Sequence, residues 1–425
     1  MSAKILICLN PFISHFLPMI PFMKRLKEKK HTLLLMGDIS LKGAVEAEGF
    51  DFTPILSFSN DIIEDMQKKK KFSEMKELYL KLHQEVHDKL LEFEPKYILM
   101  GISRFHLYLK PALESNASIY LFSLCCGIPF FNRYSPPITT DYIPKRGFWG
   151  QIQNLKLWVA RLKRKGLNVS VFKERCLYPW NCMRKMCKKK GIKQRFGIDG
   201  FFPNFPILIL GTCFLEFDER ENLNFLGVDI RTDSESYEPI SKSKDEKLIY
   251  CSFGTMNHRY KNINEFVFQL IEVLREEPRW KLIVSLGSSI DISSITLPSN
   301  VTVYKFAPQI SILKQVDMVI THGGYGTVKE SVNLGVPMLV LPCIYDQRGN
   351  AARVHYYQIG IRDFMLQIPR KRGKEGQSKS INKEHIKEKM NEILYNPIYK
   401  NNIDKLKENI YRQNELDEAC ERLFE

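Results

Sequence analysis

The chain has 425 residues, 44% of them apolar and 12% aromatic, ten cysteines and a formal net charge of +15. That length exceeds what one hydrophobic core ordinarily serves, so two domains are expected, and the composition excludes low-complexity and fibrous classes. The group Cys176, Cys182 and Cys187 has neither the C-x-x-C spacing of a zinc site nor a secretory context for disulfides, so free thiols are expected.

The opening "MSAKILICLNPFISHFLPMIPF" is apolar, but Asn10, Pro11, Ser14, His15 and Pro18 interrupt it and no small-residue cleavage site follows, so it reads as a strand and helix, not a signal peptide. No run is long enough to span a bilayer, and a cytoplasmic protein is expected. In chain order, the short apolar runs "KILICL", "HTLLLMGD", "YILMGI", "SIYLFSL" and "PILILGT" have strand character. The patterns "PMIPFMKRLKEKK" and "SEMKELYLKLHQEVHDKLLEFEP" between them have helical periodicity.

Residues 151–195 interrupt this alternation with fourteen Lys or Arg against the single acid Glu174. Trp149, Trp158, Val159, Leu162, Leu167, Phe172, Leu177 and Trp180 interleave with those charges. Three readings stand side by side: a solvated insertion, a surface for anionic lipid or a hydrophobic ligand, and a nucleic-acid patch. The third lacks any accompanying reader motif. If the lipid reading holds, the protein is peripheral on the inner membrane surface.

The stretch "DIRTDSESYEPISKSKDEK" is polar and nearly free of large apolar residues, which marks a linker. After it a second series begins: strands "LIYCSFGT", "WKLIVSLG", "VTVYKFAP", "MVITHGG" and "PMLVLPC", with "INEFVFQLIEVLREE" and "GTVKESVNLG" as helices. Strand-helix alternation in both halves predicts an α/β protein of two Rossmann-like, doubly wound parallel-sheet domains facing a cleft. The expected boundaries are a first domain at 1–228 containing the basic insertion, a linker at 229–246, a second domain at 247–405, and a C-terminal helix at 406–425 packing back on the first domain.

Chemistry concentrates in the second half. After "MVIT" comes "HGGYGTVKE", where glycines allow close backbone approach and a helix beginning near Thr327 points unpaired N–H groups outward, as a phosphate or diphosphate site requires. It is neither a G-x-G-x-x-G fingerprint nor a Walker loop.

Together "FAPQISIL", "HGGYGTVKE", "GVPMLVLP" and "DQRGNAAR", in order between residues 306 and 353, resemble the nucleotide-sugar signature of the UDP-glycosyltransferase superfamily with the GT-B fold, in its bacterial macrolide-glycosyltransferase form. "SHFLPMIPFMKRL", "YCSFGTM" and "YNPIYKNNIDKLKENI" extend the likeness over nearly the whole chain. The resemblance implies that Phe306 stacks on the nucleobase, with the Ala307 backbone and the Gln309 side chain framing it. It gives the diphosphate to His322, Gly324, Gly326, Thr327 and Thr255, the ribose hydroxyls to Glu330, and the sugar hydroxyls to Asp346 and Gln347.

The donor implied is a UDP- or dTDP-hexose, with no further cofactor. The chain has no D-x-D sequence, so metal independence is expected, the helix dipole, His322 and hydroxyls neutralising the leaving diphosphate. His15 stands where the family places the general base, and a neutral imidazole suits that task. The other reading is that His15 caps the following helix. Many relatives orient the base with an Asp near the end of the strand that here reads "PKYILMGISRF", where this chain has Gly101, Ile102 and Ser103. His31 reads as structural, and His83, His87 and His106 as surface residues without a role.

The expected function is an inverting hexosyltransferase acting on a hydroxyl of a small hydrophobic acceptor such as a polyketide, carotenoid or other terpenoid, or flavonoid. Phe12, Phe16, Phe130, Phe131, Trp149 and Trp180 are its candidate acceptor aromatics. Two alternatives remain: a non-catalytic nucleotide-sugar-binding accessory protein, which the missing Asp suggests, and a GT-B-fold sugar-nucleotide isomerase.

Overall fold

The computed structural model describes residues 2–55, 72–102, 105–127, 129–166, 180–197, 200–217, 224–227, 229–230, 237–254, 257, 260, 262–287, 290–292, 295–366 and 381–423. Two parallel sheets organise them. The first contains β1 (Lys4–Cys8), β2 (Thr32–Asp38), β3 (Asp51–Ile55), β4 (Tyr97–Gly101), β5 (Ser118–Ser123), β8 (Ile207–Ile209) and β9 (Asn224–Phe225), in the order β3-β2-β1-β4-β5-β8-β9. A separate antiparallel hairpin, β6 (Gln194–Gly197) with β7 (Gly200–Pro203), stands beside it. The second sheet has the order β12-β11-β10-β13-β14-β15, from β10 (Lys247–Ser252), β11 (Trp280–Ser285), β12 (Val301–Tyr304), β13 (Met318–Thr321), β14 (Met338–Val340) and β15 (Gly360–Arg362).

The central strands are apolar throughout because both of their faces are covered. On β1, Ile5 and Ile7 enter one core with Phe16, Met23 and Leu26, while Leu6 and Cys8 enter the opposite core with Leu82, Val86 and Leu109. On β10 the same alternation sends Ile249 and Cys251 to one side and Leu248 and Tyr250 to the other. In each sheet the chain winds outward from its first strand and then returns to that strand's other side. The switch points therefore fall between β1 and β4 and between β10 and β13, which is where such sheets bind ligands, beyond the carboxyl ends.

The halves are joined by a buried ion pair. Arg353 Nη2 lies 2.8 Å from Glu216 Oε2, each side chain 1% exposed, and the Arg353 guanidinium lies 4.5 Å from the Phe217 ring centroid. The Gly127 N–H and the Tyr357 hydroxyl also donate to Glu216, to its side chain and backbone carbonyl respectively. Gly349 sits so close to the Ile138 carbonyl that a Cβ there would fall 2.1 Å from it. The helix Glu415–Leu423 lies on the first domain, inserting Leu416, Ala419, Cys420 and Leu423 into its core while Asp417 pairs with Arg25.

Several sequence-based expectations change. The strand β3 was not foreseen: Asp51 and Pro54 disguise it, and Pro is tolerated because β3 is an edge strand. His83 is buried, not a surface residue, since the helix Phe72–Phe93 turns Tyr79, Leu82, His83 and Val86 inward. Phe16 and Phe130 are core residues, so neither is available to an acceptor. Trp158 faces inward as well, its Nε1 donating to the Ser135 carbonyl at 2.8 Å. Of the basic segment, the helices Phe148–Gly166 and Trp180–Lys189 are described, whereas Leu167, Phe172, Leu177 and the side chains of Leu162 and Trp180 lie outside what is described. The eight cysteines whose side chains are described are all free thiols.

Candidate active site

The donor side is assembled at the carboxyl edge of the second sheet. Register pairs Ser252 with Thr321 and Thr321 with Val340, so the residues that follow each strand emerge side by side. His322 emerges between two glycines. A Cβ on Gly254, whose φ is +67°, would stand 2.8 Å from His322 Cε1, and one on Gly324 would stand 2.6 Å from Nε2. The imidazole is thus clamped, and no larger residue fits at either position. Burial lowers its pKa to about 4, against which a hydrogen bond to the Ser252 backbone acts. Near neutral pH the ring is uncharged and interacts through its N–H and lone pair.

Gly324 caps the helix Tyr325–Leu334 with extended backbone and no side-chain capping bond. The Val328 N–H returns to the Gly324 carbonyl at 3.2 Å, so the N–H groups of Tyr325, Gly326 and Thr327 precede the first intrahelical bond. A Cβ on Gly326 would meet nothing within 4 Å, which leaves open space over this helix end. One turn on, Glu330 accepts a short hydrogen bond from Gln309 Nε2, which also reaches Thr327 Oγ1 at 3.3 Å. Gln309 begins the short helix Gln309–Leu313, and the Tyr250 hydroxyl contacts its Oε1 at 3.5 Å. Phe306, just upstream, is 65% exposed, and Ala307 is partly buried beside it. Four residues to which the resemblance gives the nucleoside and diphosphate, Gln309, Thr327, Glu330 and Phe306, therefore lie on one rim.

Asp346 precedes the helix Gln347–Tyr356. Burial raises its pKa, opposed by a 2.9 Å bond from Asn350 Nδ2. Asn350 Nδ2 also donates to the Gly323 carbonyl at 2.9 Å, tying this helix to the glycine turn. Gln347 is buried and committed: its Oε1 accepts from the Cys343 and Ile344 N–H groups at 2.9 and 2.8 Å, and its Nε2 donates to Tyr260 at 3.0 Å. Only the second amide hydrogen of Gln347 is left for a sugar hydroxyl. Thr255 and Ser103 lie outside the described residues.

On the opposite side, His15 sits in the one-turn helix Ile13–Phe16 after β1, its ring edge-on to Phe12 at 5.1 Å. It caps no helix: Met19 precedes Ile20–Glu28, so the capping reading is set aside. Where an orienting Asp was sought, a Cβ on Gly101 would fall 2.7 Å from Asn10 Nδ2. The buried Asn10 amide fills that space, and its Oδ1 has no hydrogen-bond partner. Phe12 and Phe131 keep partial exposure, in contrast to Phe16 and Phe130.

Sequence reasoning missed Lys329. On a helix its neighbours make it look solvent-facing, yet it is buried, and its Nζ lies 3.4 Å from the Pro18 carbonyl on the other domain. Burial lowers its pKa to about 8, with the charges of Asp229 and Glu330 acting in the opposite sense. The residue before Glu330 therefore touches the segment three residues beyond His15.

Two doubly wound parallel sheets facing across this cleft define a GT-B fold. Solved structures agree: the calicheamicin glycosyltransferase CalG4 superposes with a TM-score of 0.70 at 15% identity, covering 100% of this chain and 97% of that one. The kitacinnamycin glycosyltransferase gives 0.67 at 18% identity over 98% and 97%. Residues 231–417 match the family described as UDP-glucoronosyl and UDP-glucosyl transferase. Among curated relatives, NDP-glycosyltransferase YjiC of Bacillus subtilis is 32% identical over 146 residues, 34% of this chain and 36% of the relative. Zeaxanthin glucosyltransferase of Pantoea ananas is 33% identical over 124 residues, 28% of each. The matched part thus spans about a third of such relatives' length. Residues 231–417 thus resemble the UDP-glycosyltransferase family, and the chain as a whole shares the GT-B fold of the solved glycosyltransferases.

Proposed function

We propose that the protein is an inverting glycosyltransferase that moves a hexose from a UDP- or dTDP-sugar to a hydroxyl of a small hydrophobic acceptor. The observation that carries this reading is the Lys329–Pro18 contact, which sets the donor-side helix bearing Thr327 and Glu330 against the segment bearing His15. A base on one domain and a donor on the other suit a single in-line displacement. His15 takes the acceptor proton, the acceptor oxygen attacks the anomeric carbon, the bond to the diphosphate breaks on the far side, and configuration inverts.

Phe306 is an exposed platform for the base, and Glu330 holds the ribose hydroxyls as a charged acceptor. The leaving diphosphate is received by the N–H groups ahead of Val328 and by His322, with no divalent cation required. Asp346 takes the sugar hydroxyls, assisted by the one free hydrogen of Gln347. Because the neutral Asn10 amide occupies the space next to Gly101, no carboxylate there strengthens the base. Acceptors with acidic hydroxyls, phenols above all, are therefore preferred.

The test is a screen of UDP- and dTDP-sugars against phenolic, macrolide and carotenoid acceptors, with and without a chelator, read by mass spectrometry. Product carrying one added hexose, formed equally with chelator present, is expected. Binding without turnover would instead identify an accessory protein, and sugar interconversion without acceptor an isomerase.

A further inference from the structure

Phe148 and Trp149 are the two most exposed large apolar side chains among the described residues, at 68% and 77%. They are adjacent, with their rings packed edge-on at 5.7 Å, and they follow the exposed cations Lys145 and Arg146 after a single glycine. The turn that presents them is built, not loose. Gly147 has a φ of +87°, a left-handed value that favours glycine, and a Cβ on Gly150 would fall 1.8 Å from the Lys145 carbonyl.

Behind the turn, the helix Phe148–Gly166 is fastened along one face. Asn154 donates to the Arg133 carbonyl at 3.0 Å, Trp158 to the Ser135 carbonyl at 2.8 Å, and Arg161 to Thr139 at 2.5 Å. Helical spacing then puts Trp149, Lys156 and the exposed Val159 on the opposite face. Two aromatics at the tip, flanked by Lys145 and Arg146 before them and Lys156 along a fastened helix, are the arrangement of an interfacial anchor: the rings enter the headgroup layer and the cations meet anionic headgroups.

We propose that the Lys145–Trp149 turn is a docking tip for an anionic lipid bilayer. The surface is thereby narrower than the whole basic segment, since Trp158 points inward and cannot contribute. Its place serves the cleft. The segment leading into the tip touches the sugar-side helix through Ile138 against Gly349, and the Asp141 carbonyl accepts from Arg362. Phe148 lies seven positions after Asp141, at most roughly 25 Å of chain. A membrane-bound tip brings the cleft mouth within reach of acceptors dissolved in lipid.

The test is partition of the full chain onto vesicles of phosphatidylcholine alone or mixed with phosphatidylglycerol, at low and high salt, in the absence of donor and acceptor. Its result is thus independent of the transferase reading. The wild type should sediment with the anionic vesicles, less so at high salt, and its tryptophan emission should be quenched by brominated lipid, whereas Trp149→Phe should lose most of that quenching. Phe148→Ser/Trp149→Ser and Lys145→Gln/Arg146→Gln should each lower partition on the order of tenfold. The substituted side chains are exposed, and unchanged circular dichroism will show that the fold persists. Equal partition of the aromatic double variant, equal partition onto neutral vesicles, no partition at all, or self-association abolished by the same variant would each overturn the proposal, the last by giving the tip to a second copy of the chain.

Discussion

Glu330, the proposed ribose ligand, accepts a hydrogen bond from Gln309 in the free protein, so its carboxylate is held in place before a ligand binds. Each hydrogen bond to a charged acceptor contributes about 1.5–3 kcal/mol. Glu330→Ala should therefore weaken UDP binding by roughly tenfold to a hundredfold in calorimetry. Unchanged affinity would remove Glu330 from the site. The histidines make a second residue-scale prediction. Burial lowers both His83 and His322 to about 4, whereas the unfolded chain protonates near its ordinary value, about 6.5. Both stay neutral in the folded state down to about pH 4. As pH falls from 6.5 towards 4 the unfolded state alone gains protons, and stability is lost through that window. Urea midpoints should decline across it. His83→Leu removes ring nitrogens that have no hydrogen-bond partner and should flatten the decline; an unchanged slope would contradict the burial of His83.

At the scale of elements, the glycine turn between β13 and the helix Tyr325–Leu334 separates packing from ligand approach. Gly324→Ala collides with His322 and should cost both stability and UDP affinity. Gly326→Ala meets no atom in the free protein, and alanine favours a helix by about 0.5–1 kcal/mol over glycine. It should hold or raise the melting temperature while weakening UDP binding. Full UDP affinity in Gly326→Ala would place the diphosphate elsewhere. These elements were legible in the sequence because central strands buried on both faces read as apolar runs and "MVITHGGYGTVKE" carries its own punctuation. What was not legible depended on partners distant in the chain. Trp158 looks like a lipid-facing residue until Ser135 is seen beside it, Lys329 looks solvated until Pro18 meets it, and Gln347 looks like a free sugar ligand until Cys343, Ile344 and Tyr260 take its hydrogen bonds. The edge strand β3 is hidden by Pro54, which only an edge permits.

For the whole molecule, the Arg353–Glu216 pair couples the two halves through a contact with almost no solvent access. Removing one partner strands the other charge, so Arg353→Met should destabilise by about 3–5 kcal/mol, and Arg353→Met/Glu216→Met should recover part of that loss. Additive losses in the double variant would show that the two charges do not interact. With the halves held together, the proposed chemistry across the cleft draws its base from one domain and its donor from the other. The most direct test is the rate of UDP release from UDP-sugar by the wild type and His15→Ala, with a phenol, with an aliphatic alcohol and with no acceptor. The wild type should release UDP only with acceptor and faster with the phenol, while His15→Ala should be slower by roughly a hundredfold to ten-thousandfold with UDP binding intact. Near-normal turnover of the aliphatic alcohol by His15→Ala, or UDP release by the wild type that is indifferent to acceptor, would contradict transfer by His15.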